Sequence, residues 1–166
     1  MWTKDMVNIE NIMNKSFFLS GVITSIVNLV LHSGAYFGFL RNFYASNPAG
    51  STEYLKQLNR PADQLVIWAL LVSTFAFGFF ITTTIKWSGA KTFSSGLKYG
   101  LILGILFWTA INFGLYSAQN IFSLPSVFAD LACSTFAMTI AAGVSAWILG
   151  KDKPKAKTSD KKQRRR

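Results

Sequence analysis

The sequence predicts an all-α membrane protein, an antiparallel bundle of four transmembrane helices with both termini in the cytoplasm. Three observations carry that expectation. Apolar residues make up 51 % of the chain and charged residues only 14 %, against about 25 % charged in an average soluble domain. The charges avoid four long stretches, residues 17–40, 65–85, 97–118 and 124–149, which together hold only Lys98 and Asp130. Each stretch has the roughly 20-residue length that crosses a hydrocarbon core about 30 Å thick. Finally, if both termini are cytoplasmic, fourteen of the 17 Lys and Arg residues lie inside, and only Arg41, Lys56 and Arg60 lie outside. The positive-inside rule therefore sets the orientation. The expected organisation is a cytoplasmic segment at 1–15, a transmembrane domain at 16–150, and a disordered basic cytoplasmic tail at 151–166.

Span one begins after Lys15. It is too long for a signal-peptide core, so it reads as a retained helix. "MNKSFFLSG" from Met13 looks like a natural start, which makes the first twelve residues an expected upstream extension. Gly21, Ser25, Asn28 and His32 share one helical face, and His32 is the single histidine of the chain. Beyond Arg41 the reading is a loop, with a turn at Asn47-Pro48. "STEYLKQL" then suggests a short surface helix with Tyr54, Leu55 and Leu58 toward lipid.

Span two carries Thr74, Gly78 and Thr82 at helical spacing, and span three the ridge Gly96, Gly100, Gly104. Small residues let backbones approach closely where lipid supplies no hydrophobic drive for association. Span four opens at Ser123-Leu124-Pro125, a cap followed by an early proline, and closes at Gly150 and Lys151. Its small face is Ser134, Ala137, Ala141 and Ser145. Trp87 and Trp147 fall at the cytoplasmic interface and Trp68 near the outer one, as an aromatic belt requires. The tail "KDKPKAKTSDKKQRRR" follows a span directly. It therefore reads as a topology anchor against anionic lipid headgroups, and nucleic acid is not an expected partner.

The intramembrane polar residues give the candidate site. At 1.5 Å per residue, His32 lies about 12 Å, and Asn112 and Asp130 about 9 Å, from the outer ends of their spans. Tyr116 is one turn from Asn112, Ser134 one turn from Asp130, and Ser73 and Thr74 reach a similar depth from span two. Asp130 is the only acid within a span. A lone carboxylate there is costly, about 2.5–3.5 kcal/mol on insertion scales, and should face a partner inside the bundle. His32 is the expected partner, with Asn28, Asn112, Tyr116 and Ser134 completing the cluster.

Other chemistries find little support. One histidine and one cysteine, Cys133, do not supply a tetrahedral metal shell, and no cofactor is expected. "GAKT" at 89–92 lacks the upstream glycine of a phosphate loop. "NKS" at 14–16 matches a glycosylation sequon but lies on the cytoplasmic side. No nucleophile-elbow context surrounds any serine, so no enzyme is expected. Small multidrug exporters place an acid in their first span, and this chain has none there.

Residues 92–151 carry "TFSSGLKYGLILG" and then "LYSAQNIFSLPSVFADLACSTFAMTIAAGVSAWILGK". This wording resembles a group of small four-span bacterial membrane proteins with a glycine-rich third span. The group also shows Tyr-x-x-x-Asn (Tyr116, Asn120), an Asp followed by Ser-Thr (Asp130, Ser134, Thr135), and an Ala/Gly-rich end. With the first span and the "RNFYASN" beyond it fitting more loosely, the resemblance covers roughly two thirds of the chain, and the basic tail and the opening residues depart from it. It implies a fold and an inner-membrane location, and no activity. Two functions stay open. One is a structural or accessory membrane component, possible homo-oligomer included, whose cluster clamps helix register. The other is a small transporter, channel or sensor binding a proton or small ligand at Asp130 and His32.

Overall fold

The computed structural model describes residues 15–151 except Thr52, Leu55, Lys56, Leu58 and Asn59. The expected surface helix around Leu55 and Leu58, the upstream extension and the basic tail therefore lie outside the described residues. The described part is helical, and four of its helices are long and apolar enough to cross a membrane. These are α1 (Lys15–Ala35), prolonged by a π turn (Tyr36–Leu40) and α2 (Arg41–Ser46), then α3 (Ile67–Ser88), α4 (Phe93–Ala118) and α5 (Leu124–Gly150). A single 3₁₀ turn, Ala62–Gln64, precedes α3.

The helix ends follow local chemistry. The first helix does not stop at Leu40, where the approach of Arg41 suggested an end. It continues to Asn47, which leaves helical geometry at φ −130 and ψ 60 because a proline follows it. The Asn47 N–H and its side-chain amide both donate to Phe43 O at 3.0 Å. Inside this long helix the Arg41 N–H reaches back five residues to Tyr36 O, the mark of a π turn. The turn takes up one extra residue, so everything after it lies roughly 100° back from where an uninterrupted α-helix would put it, and this aims α2. α4 starts four residues before the apolar run at 97, because Thr92 and Ser95 form a reciprocal capping box. α3 runs on to Ser88 and ends at Gly89, whose φ of 73 supplies the left-handed stop.

α5 is the central element. Thirteen of its residues are buried, against four each on α3 and α4, and it packs on α1, α3 and α4 alike. The glycine ridge of α4 seats on it. A Cβ on Gly96 would stand 2.6 Å from Ala146 Cβ, and one on Gly104 would stand 3.1 Å from Thr135 Cγ2. Gly78 of α3 lies directly on Ser25 of α1, 2.6 Å from a would-be Cβ to the Ser25 Cα. Ile81, Ile85, Met138, Ala141, Ala142 and Ala146 fill the space between, all fully buried. At the same end Ser20, Ser145 and Thr82 form a hydroxyl chain across α1, α5 and α3, with Oγ···Oγ 3.0 Å and Oγ···Oγ1 3.2 Å. The small-residue faces are thus used within the chain. What remains outside is bulky and apolar, including Val30, Leu106, Phe136 and Trp68.

Candidate functional site

Asp130 lies in the second turn of α5 and accepts three hydrogen bonds. Tyr44 Oη of α2 donates to Oδ1 at 2.7 Å, and Asn112 Nδ2 of α4 donates to Oδ2 at 2.9 Å. Ser134, one turn on, adds a longer bond to Oδ2 at 3.4 Å. A carboxylate that only accepts is satisfied by such a set of donors. Asn112 is 1 % exposed, so its amide is committed to this bond rather than to solvent.

Several contacts hold Tyr44 in place. The π turn fixes the rotation of α2, and the Tyr44 ring packs on Phe122 with centroids 5.4 Å apart. The backbone carbonyl of Asn47 then accepts from Ser123 Oγ at 2.7 Å and from Ser126 Oγ at 3.2 Å. This explains why Ser123, at the expected helix start, makes no side-chain cap to α5. Its hydroxyl latches the end of α2 to the start of α5 instead.

Beside this latch is a cavity of about 440 Å³ whose wall includes Asp130, His32, Tyr36, Arg41, Tyr44 and Phe122. Arg41 is exposed, and among the described residues neither it nor Asp130 has an ion-pair partner. The cavity therefore presents one negative and one positive group that do not neutralise each other by direct contact.

His32 is not the hydrogen-bond partner of Asp130. Its Nδ1 lies 3.1 Å from the Asn28 carbonyl one turn back, and since a carbonyl only accepts, Nδ1 carries a proton. The ring leans on Trp108, centroids 5.5 Å apart. The cause is local: an imidazole at this helical position reaches its own i−4 carbonyl with less extension than a carboxylate on another helix. His32 also lines a second hollow, a cleft of about 460 Å³ between α1, α3 and α4. Asn28, Ser73, Thr74, Phe77 and Trp108 share that cleft. Asn28 Oδ1, His32 Nε2 and Trp108 Nε1 are buried there without hydrogen-bond partners. The single polar layer expected from sequence is thus divided into an Asp130 group and an Asn28 group, with His32 on both walls.

Of the other candidates, Asn112 and Ser134 reach Asp130, whereas Tyr116 is not among its donors and is 43 % exposed. The tyrosine that serves Asp130 is Tyr44, which sequence reasoning placed in a loop. The signal was available. Tyr36, Leu40 and Tyr44 continue the i, i+4 spacing past Arg41, and neither glycine nor proline falls between Leu40 and Pro48. Arg41 misled because a charge at the end of an apolar run usually marks its boundary. Comparison with protein-family models, with curated proteins and with solved structures gives no match for the chain.

Proposed function

We propose that the protein is a non-enzymatic, multi-pass component of the inner (plasma) membrane, structural or accessory in role. In this reading the four helices run antiparallel with both termini in the cytoplasm, and the Asp130 cluster lies in the outer half of the bundle. The asymmetry of Lys and Arg supports that orientation. The observation that carries the role is the sharing of one carboxylate: its two oxygens bond to α2 and α4 while its backbone belongs to α5. A group bonded in this way fixes the register of three elements at once, the best-attested use of buried polar groups. The partners are the bilayer and, at the tail, anionic headgroups. Self-association in this picture uses the bulky outer faces, since the glycine ridges already serve the interior.

Thermal unfolding in detergent tests the clamp. Tyr44→Phe and Asn112→Ala should each cost about 1.5–3 kcal/mol, the range for hydrogen bonds to charged groups. In an Asp130→Ala background neither change should cost much further. Strict additivity of the three substitutions would refute a shared clamp.

A second reading has one observation in its favour, the cavity on whose wall Asp130 stands. There Asp130 receives a proton or a small solute, as in a transporter or sensor. Identical stability profiles of wild type and Asp130→Asn across pH 5 to 8 would exclude a titrating site.

A further inference from the structure

The walls of the Asp130 cavity carry opposite charges from different elements. Asp130 is on α5, and Arg41 begins α2, three residues before Tyr44. Asp130 is held by neutral donors alone, and Arg41 stands exposed on the wall. Tyr36, Tyr44 and Phe122 line the same space. From these we infer that the cavity binds an ammonium-bearing zwitterion, its ammonium toward Asp130 and the aromatic rings and its anionic group toward Arg41. This rests on the second reading above, that the cavity receives a solute.

Three physical points select this class. A plain cation gains from Asp130 but is repelled by the Arg41 guanidinium. A plain anion meets the reverse situation. A ligand carrying both signs gains from both walls at once, its ammonium from Asp130 and its anionic group from Arg41. The aromatic rings add to the ammonium end, because ring faces attract cations. The volume, about 440 Å³, lies in the range of small-molecule sites, roughly 300–1,000 Å³. Such chemistry has two sources, a free ω-amino acid in water or the phosphoethanolamine headgroup of a lipid.

The test uses the full chain in nanodiscs of phosphatidylglycerol, with titration calorimetry of glycine, β-alanine and γ-aminobutyrate, which scan the charge separation. Propylamine and propionate serve as single-charge controls. At least one zwitterion should bind saturably and roughly tenfold more tightly than either control, the size of one charge-assisted bond. Arg41→Gln should reduce that zwitterion to the affinity of propylamine. Arg41 takes no part in the clamp, so its variant is expected to unfold with the wild type. Asp130→Asn should reduce it to that of propionate. If no amino acid binds but native mass spectrometry shows phosphatidylethanolamine retained over phosphatidylglycerol, and Arg41→Gln abolishes the preference, the zwitterion is the lipid headgroup. If propylamine binds as tightly as the amino acids and Arg41→Gln changes nothing, the cavity is a cation site. The zwitterion class then falls while the solute reading stands. If none of these probes binds and no lipid preference appears, both are overturned.

Discussion

Asn28 and Asp130 show opposite ways of keeping a polar side chain among helices. Asp130 collects three donors, while the side-chain oxygen of Asn28, Oδ1, is buried with none. An unsatisfied buried acceptor costs about 1–3 kcal/mol. Asn28→Leu, nearly equal in shape, should therefore raise the unfolding temperature, by the equivalent of about 1 kcal/mol. Asp130→Leu should lower it, because it leaves the Tyr44 hydroxyl and the Asn112 amide unpaired. A fall in stability for Asn28→Leu comparable to that for Asp130→Leu would show that Asn28 has a partner in the membrane-embedded protein.

Among the elements, the π turn and the glycine contacts make separable predictions. Gly38 sits within the π turn and has open space where a Cβ would be. Deleting it should close the turn to α geometry while Arg41 and Tyr44 keep their direction, because the π turn already absorbs that one residue. The Tyr44–Asp130 bond should therefore survive the deletion, and Tyr44→Phe should cost the deletion variant about as much as it costs the wild type. Gly78 and Gly114 form a second pair. Alanine at 78 must displace the Ser25 backbone, since its Cβ would lie 2.6 Å from Ser25 Cα, which predicts a loss of about 1–3 kcal/mol. Alanine at 114 meets nothing within 4 Å and should stabilise α4 by about 0.5–1 kcal/mol. Chemical denaturation of the two variants in parallel checks the difference in sign.

For the whole molecule, the proposed orientation is open to cysteine labelling. With Cys133 replaced by alanine, a Ser46→Cys variant should react with a membrane-impermeant maleimide in intact cells. A Lys151→Cys variant should react only after the cells are opened, and the reverse pattern would invert the topology. The four helices were legible in the sequence because apolar length and the exclusion of charge are properties of composition, which survive any packing arrangement. The small-residue contacts were partly legible: Gly96, Gly100 and Gly104 share a face, although their partner on α5 did not follow from the spacing alone. The site was less legible. Of the residues grouped with Asp130, Asn112 and Ser134 bond to it. Depth alone does not say which way a side chain faces, so Tyr116 was grouped with them and Tyr44 was not. His32 joined its own backbone because an i−4 carbonyl is always at hand, a local competitor that a count of polar residues ignores.

The chain of Ser20, Ser145 and Thr82 hydroxyls bears on transit as well as on packing. Its members are fully buried and bonded to one another, above a floor of Ile81, Ile85, Met138 and alanines with no exposed area. Both hollows lie toward the other end, where α1 runs into α2 and α5 begins. On the reading in which the Asp130 cavity receives a solute, that solute would leave by the side it entered, unless α4 parts from α5 along the glycine seam. Proteoliposomes of the wild-type chain should therefore load a bound solute without accumulating it in their lumen.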